Sequence, residues 1–155
     1  MDPFFTALYA RLQEIHAGLD KALEGLDQGA LDWSPGPEMN SLTVLATHVA
    51  ASERYWIGDV AGGEPSGRVR AAEFATRGKD AAALRARLAE VLDHSHGVLA
   101  RLTAADLGRE CYAPILGDTH TVAWALLHAL DHAAEHMGHC QMIRQLWDQS
   151  QRAAG

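Results

Sequence analysis

Residues 128–146 read HALDHAAEHMGHCQMIRQL, and the spacing of their histidines is the most informative pattern in the chain. Each residue of an α-helix advances by about 100°, so His128, His132, His136 and His139 fall within a sector of roughly 80°. Apolar residues continue the same stripe in both directions, so this is the face that the helix is expected to bury. Imidazoles on a buried face need partners for their ring nitrogens.

A divalent metal ion would satisfy several of these imidazoles at once. His132 and His136 form an i, i+4 pair, the spacing at which one helix face offers two ring nitrogens to one ion. Two ligands are too few for a firm site. His48 lies in the apolar line of an earlier helix with Leu45 and Ser52, and it is the natural third ligand. A lone buried histidine is more often a core residue, but three on facing stripes favour a metal site.

Three neutral histidines leave the charge of a divalent ion uncompensated and leave coordination positions open, which is typical of a catalytic site. Such an ion lowers the pKa of bound water towards 7 or activates a thiolate. Imidazole ligands suit zinc, nickel, copper or iron. Glu135 is a candidate base, or else a solvated helix residue or a partner that supports a ligand. His128, His139 and Ser52 lie on the same stripes as the predicted ligands, and we expect them to line the pocket or to support the ligands.

Residues 132–136 also match H-x-x-E-H, the inverted zinc-protease pattern, with Glu135 as the base. That family takes its third ligand, a glutamate, from a helix well downstream. Fewer than twenty residues follow His136, and the one acid among them is Asp148. The protease interpretation therefore lacks a third ligand.

Composition and charge narrow the class of protein. The chain has 155 residues and is expected to form one domain, 1–155, and a hydrophobic content of 48% with few β-branched residues favours helix. A formal net charge of −7 with no basic cluster argues against nucleic acid or an anionic membrane surface as a partner. We see no leader and no run of about 18 apolar residues, so we expect a soluble, cytoplasmic protein. Cys111 and Cys140 form no metal or redox motif and are expected to be free thiols.

Hydrophobic periodicity predicts four amphipathic helices. The first is expected to run from Phe5 through Leu26 and to end near Gly29, and the second to be capped by Asn40 or Ser41, with a stripe that runs on to Tyr55 or Trp56. The third is expected to be capped by Asp80, with a stripe to Leu102, and the fourth to start at Asp118 or Thr119 and to carry its stripe to Trp147.

Two long connections separate these helices. Gly58–Lys79 is rich in glycine, and its length of about twenty residues is enough to run along a bundle, which permits the second and third helices to be parallel. Thr103–Asp118 includes Tyr112–Ile115, which suits an extended conformation, but no convincing strand is predicted. The expected fold class is all-α, a four-helix bundle, an architecture that builds metal sites from inward-facing side chains.

The layout resembles the DinB/YfiT-like superfamily of small four-helix-bundle metalloproteins over nearly the whole chain. The resemblance rests on two parts of the sequence, namely Asn40-Ser41-Leu42 through His48 with Glu53-Arg54-Tyr55-Trp56, and His132-x-x-x-His136-x-Gly138-His139 with Arg144-Gln145-Leu146-Trp147. Either part alone is a weak signal, and the combination is fairly specific. Many members have Gln where this chain has His139, so that position is interpreted as a variant pocket residue or an extra ligand.

The resemblance implies an up-down-down-up bundle with a long connection between helices two and three. It also implies a divalent metal, often nickel or zinc, held by one histidine of helix two and two of helix four, here His48, His132 and His136. Characterised relatives include thiol-dependent S-transferases and a mycothiol-dependent isomerase, and others are described only as candidate hydrolases. Many are dimers, so a homodimer is expected.

Several functions remain open at this point. The leading hypothesis is a metal-dependent enzyme that transfers a low-molecular-weight thiol to a small electrophile, favoured over hydrolysis only because of the resemblance. The alternatives are a metal-dependent hydrolase, and a non-catalytic stress-response bundle in which the ion joins helix two to helix four. A bundle without metal, whose histidines pack or sense pH, is a further possibility.

Overall fold

A computed structural model describes residues 1–154 of the chain as a mainly helical protein. Long helices build the body, and short helices lie in the connections. The helices are α1 (Pro3–Leu23), α2 (Gln28–Asp32), α3 (Leu42–Glu53), α4 (Arg70–Phe74), α5 (Ala81–Leu99) and α6 (Val122–Ala154). A π-helical segment, Arg54–Ala61, extends α3, and a 3₁₀ segment, Ala104–Gly108, follows α5. The predicted helical character is confirmed.

Local signals set the helix limits. The Ser41 hydroxyl accepts a hydrogen bond at 3.3 Å from a backbone N–H in the first turn of α3, and the Asp80 carboxylate accepts one at 2.7 Å at the start of α5. Both caps were among those predicted. The prediction that the first helix ends near Gly29 was wrong, because α1 ends at Leu23. The reason is Gly25, whose φ of 69° turns the chain out of the helix.

The buried apolar side chains form two clusters, one at each end of the bundle. The first joins the beginnings of α1 and α6 to the π-helical segment and the end of α5, with members such as Leu12, Ile57, Leu99 and Leu126. The second joins the later parts of α1 and α6 to the beginnings of α3 and α5, with members such as Leu19, Leu45, Leu88 and Ile143. Side chains of α3 and α6 meet between the two clusters.

The connection after α5 contains a β-hairpin that was not predicted from the sequence. Strand β1 (Glu110–Ala113) pairs antiparallel with β2 (Asp118–Thr121), with Glu110 opposite Thr121. The expectation of no strand was therefore wrong. The expected start of the last helix at Asp118 or Thr119 was also wrong, because these residues pair with β1 and α6 begins at Val122.

The connection Gly58–Lys79 is more ordered than a plain loop. Its first residues belong to the π-helical segment, and α4 packs against α3. This packing brings residues of the connection next to His48. No helix within residues 1–154 is both long and apolar enough to cross a bilayer.

Candidate metal centre

Three histidines predicted as metal ligands meet between α3 and α6. His48 lies on α3, and His132 and His136 lie one turn apart on α6. One ring nitrogen from each lies within 4.8 Å of the others. Nε2 of His48 and Nε2 of His132 are 3.1 Å apart. The histidines that are spaced along helix faces in the sequence thus converge in space, because α3 and α6 pack side by side.

Burial keeps two of these imidazoles neutral. The pKa of His132 is lowered from 6.5 to about 3 by burial and by the neighbouring His136 and His48. The pKa of His136 is lowered to about 4, again by burial first and then by His48 and His139. A neutral imidazole is the form that binds metal, so both side chains are in the ligand form at pH 7 without having to release a proton.

The third imidazole is oriented by a carboxylate from the connection. Nδ1 of His48 lies 2.7 Å from Oε2 of Glu73, and both side chains are almost completely buried. Because the carboxylate accepts, Nδ1 of His48 carries the proton and Nε2 presents its lone pair towards His132. Partners of this kind fix the tautomer of metal-binding histidines and raise their basicity.

Glu73 is itself held as an anion. Burial alone would raise the pKa of its carboxyl, but hydrogen bonds from Arg68 and His48 lower the pKa below its usual value overall. Arg68 Nε donates to Oε1 at 2.6 Å and Nη2 donates to Oε2 at 3.0 Å. Phe74 packs on the His48 ring with centroids 4.9 Å apart. The connection therefore covers one side of the histidine cluster with Phe74, and its Arg68 keeps the Glu73 carboxylate negatively charged.

The donor set fits a divalent transition-metal ion. Two imidazoles bound tetrahedrally at about 2.0 to 2.1 Å place their nitrogens about 3.3 Å apart, close to the 3.1 Å between the two Nε2 atoms. All three donors are nitrogens, and no carboxylate belongs to the cluster of donors found among residues 1–154. Three imidazoles suit zinc or nickel better than calcium or magnesium, which prefer oxygen.

A cavity of about 120 Å³ opens beside His48 and His132. The predicted pocket residues His128 and Ser52 line it, together with Tyr55, Trp56 and others. His128 is held between aromatic rings, stacked on Trp124 at 4.9 Å and edge-on to Trp56 at 4.6 Å, and burial lowers its pKa. The structure thus places two predicted pocket residues at a space next to the histidines.

The sequence pattern that defines the DinB superfamily matches residues 11–140. The chain belongs to the DinB superfamily. That confirms the resemblance drawn from the histidine and tryptophan motifs. No curated protein matches the chain in sequence.

Solved structures support the same fold for this DinB-superfamily chain. YfiT from Bacillus subtilis, described as "a probable metal-dependent hydrolase with an unusual four-helix bundle topology", is 20% identical with a TM-score of 0.75, over 94% of this chain and 88% of YfiT. A conserved protein from Enterococcus faecalis is 18% identical with a TM-score of 0.73, over 93% and 96% of the two chains. The DinB-like protein YjoA from Bacillus subtilis is 18% identical with a TM-score of 0.68, over 90% and 91%.

In this DinB-superfamily chain, His139 lies next to the cluster rather than within it. The Nδ1 atoms of His139 and His136 are 3.2 Å apart, and the His139 side chain is exposed. Both residues line a second cavity of about 310 Å³, with the apolar side chains of Met39 and Met142 among its walls. His139 is therefore a pocket residue, and His136 connects the histidine cluster to this second cavity.

Glu135 lies on the exposed side of α6 in the turn between His132 and His136. Its charge partly opposes the effect of burial on the pKa of His136, so it lies close enough to act on that imidazole. Its role as a base stays a prediction. The free thiols predicted for Cys111 and Cys140 are present, and burial raises the pKa of Cys140 to about 12, which makes it an inert packing residue.

Sequence reasoning missed Glu73 and Arg68, which support the site from the connection. Both lie outside any long periodic helix, so no hydrophobic stripe points to them. One signal was available in the sequence, namely an acidic residue in the glycine-rich connection. If that connection runs along the bundle, the acidic side chain can reach a face of the bundle. No pattern in the sequence favours Glu73 over Glu64, which lies in the same connection.

Proposed function

We propose that this chain is a divalent-metal-dependent enzyme whose ion, zinc or nickel, is held by His48, His132 and His136. The observation that supports the proposal is the convergence of three imidazole nitrogens within 4.8 Å of one another. Two of these imidazoles are kept neutral by burial, and the third is oriented by an anionic carboxylate. A divalent ion at such a centre acts as a Lewis acid that lowers the pKa of a thiol or of water.

The chemistry that we propose first is transfer of a low-molecular-weight thiol to a small electrophile. The thiol loses its proton, its sulfur forms a bond to an electrophilic carbon, and the leaving group departs with the electron pair of the bond that breaks. Glu135, beside His136, is the proposed acceptor of the thiol proton. The cavity at His48 and His132 is the space in which the two reactants would meet, and the Trp56 ring in its wall excludes water from one side.

The second candidate is hydrolysis at the same site, with water in place of the thiol. The description of YfiT as a probable metal-dependent hydrolase favours this alternative. The two reactions differ in one requirement, because hydrolysis proceeds without an added thiol. Turnover of an electrophile that requires a thiol supports transfer, and turnover of an ester in thiol-free buffer supports hydrolysis.

A non-catalytic role for the ion makes a different prediction about His136. If the ion only joins α3 to α6, replacing His136 removes a structural bond and the free energy of unfolding falls by several kcal/mol. In an enzyme, the same replacement abolishes turnover with a modest loss of stability. Thermal unfolding of the His136→Ala variant beside its activity separates the two roles.

We also infer the up-down-down-up order for this bundle. The beginnings of α1 and α6 lie in one apolar cluster with the end of α5, while the beginnings of α3 and α5 lie in the other cluster. This distribution supports α1 and α6 running in one direction and α3 and α5 in the other. The homodimer expected from the resemblance stays a prediction that sedimentation can test.

The metal content of purified, untagged protein tests the proposal. Elemental analysis of the wild type should find close to one transition-metal ion per chain after refilling with zinc or nickel. His48→Ala and His132→Ala should both lose it. His94→Ala is the matched control, since His94 is half-buried like His132 and bonded to a carboxylate, Glu64, as His48 is to Glu73, but lies outside the cluster. Equal and low metal in the wild type and all variants would refute the proposed metal centre.

A further inference from the structure

The cavity beside His48 and His132 has an unusual charge for this chain. Two arginines, Arg68 and Arg70, line it, and no carboxylate does. The whole chain has a formal net charge of −7. A cationic wall in an acidic protein creates a local positive potential, which raises the local concentration of anions.

Arg70 is the arginine of this wall that has no carboxylate partner within residues 1–154. Its guanidinium lies over the Phe74 ring at 4.8 Å, and it forms no ion pair within residues 1–154. Arg68 is bonded to Glu73 through Nε and Nη2, which leaves Nη1 without a carboxylate partner. Arg70 is an exposed residue that rests on an aromatic ring, and its charge is not taken up by a carboxylate of the protein.

Two buried hydroxyl groups supply further donors to the same space. Ser52 is 2% exposed and lines the cavity. Tyr55 is 3% exposed, and its oxygen accepts a hydrogen bond from the Ile115 N–H at 3.0 Å, so its own proton remains available to donate.

We propose that this cavity binds the carboxylate of an anionic small molecule, with Arg70 and the Ser52 and Tyr55 hydroxyls as the recognising groups. The cavity volume of about 120 Å³ suits a small anionic group, and His48 and His132 form another part of its wall. The reactive group of the same molecule thus lies next to the histidine cluster. The inference rests on the proposed function for the role of that reactive group, but anion binding itself does not need the metal.

Two thiols of the same size test the assignment, since 3-mercaptopropionate has a carboxylate and 3-mercaptopropionamide has a neutral amide in its place. Binding to the metal-free protein is followed by NMR through the indole N–H of Trp56, which lines the cavity. The carboxylate compound should bind at least about tenfold more tightly, as hydrogen bonds to a charged group allow. Arg70→Gln should remove most of this difference. Arg77→Gln is the matched control, because Arg77 lies in the same connection, bonds only backbone carbonyls, and does not line the cavity.

The same titrations on zinc-loaded protein separate this inference from the proposed function. Both thiols should bind there, and Arg70→Gln should weaken only 3-mercaptopropionate. Discrimination in the metal-free protein without any zinc-dependent thiol binding supports the anion site and refutes thiol activation. An unchanged preference in Arg70→Gln in both forms overturns the anion site, whatever the zinc-loaded protein does. Tighter binding of inorganic phosphate than of 3-mercaptopropionate to the metal-free protein overturns the carboxylate assignment.

Discussion

Replacing Glu73 by glutamine should weaken the proposed metal site without removing any of its ligands. Glutamine keeps the size of the side chain and can still accept a hydrogen bond from Nδ1 of His48. It removes the negative charge that lies 2.7 Å from this imidazole and that is 5% exposed to solvent. The Nε2 atom of His48 then becomes a poorer donor, because the carboxylate no longer polarises the ring.

The size of the effect follows from the contacts of Glu73. Loss of a carboxylate that supports a metal-binding histidine costs about 10- to 100-fold in metal affinity, or about 1.4 to 2.7 kcal/mol. We expect a value near the upper limit, because Glu73 also neutralises Arg68, whose side chain is only 6% exposed. In the variant the Arg68 charge is left near the ion without a compensating anion, and it repels the ion.

The dissociation constant for zinc is measured by competition with a chromophoric chelator, and thermal unfolding of the metal-free protein is measured in parallel. Glu53→Gln is the matched control, because Glu53 is also a buried glutamate bonded to a histidine ring, His16, at 2.6 Å, but on another face of the bundle. The control should lose stability and keep its zinc affinity. Equal zinc affinity in the wild type and Glu73→Gln, or equal losses in both variants, would refute the supporting role of Glu73.

Three further predictions follow from the site. Because the pKa values of His132 and His136 are about 3 and about 4, neither imidazole releases a proton on binding zinc between about pH 5.5 and 7.5. A zinc affinity that falls by two or more decades for each unit by which the pH is lowered in this range would contradict the lowered pKa values. These pKa values lie below the unfolded value of 6.5, so the unfolded chain binds more protons and the metal-free protein should lose stability as the pH falls from about 6.5 towards 4; a melting temperature that stays constant or rises on acidification would count against them. Glu135→Gln should lower kcat by about 10²-fold with the metal content unchanged if Glu135 is the base, and an unchanged kcat would assign it to the solvated surface of α6.

The histidine cluster was accessible from sequence because it follows helical periodicity. His132 and His136 share one face of any helix that spans them, and His48 lies on the apolar line of its own helix, so the pairing of two buried faces brings them together. The caps at Ser41 and Asp80 were predictable for the same local reason, since a short polar side chain precedes each apolar pattern.

The parts that sequence reasoning missed depend on contacts between distant segments. Glu73 is recognisable only when the connection is known to pack on α3, which no repeat in the sequence shows. The start of α6 was placed too early because Asp118 and Thr119 are good capping residues. In the structure their backbone groups pair with β1, and strand pairing takes precedence over the local preference to cap a helix.

His48 and His132 are 84 residues apart in the chain, so metal binding at the proposed site would depend on folding of the bundle. Closing a loop of this length costs conformational entropy that the local i, i+4 pair does not incur. A nascent chain can offer the pair on α6 to an ion as soon as that helix forms, but the third donor arrives only when α6 docks on α3. Tight binding therefore belongs to the finished bundle alone, and an ion at 100 times its dissociation constant adds about 2.7 kcal/mol to the stability of the folded state.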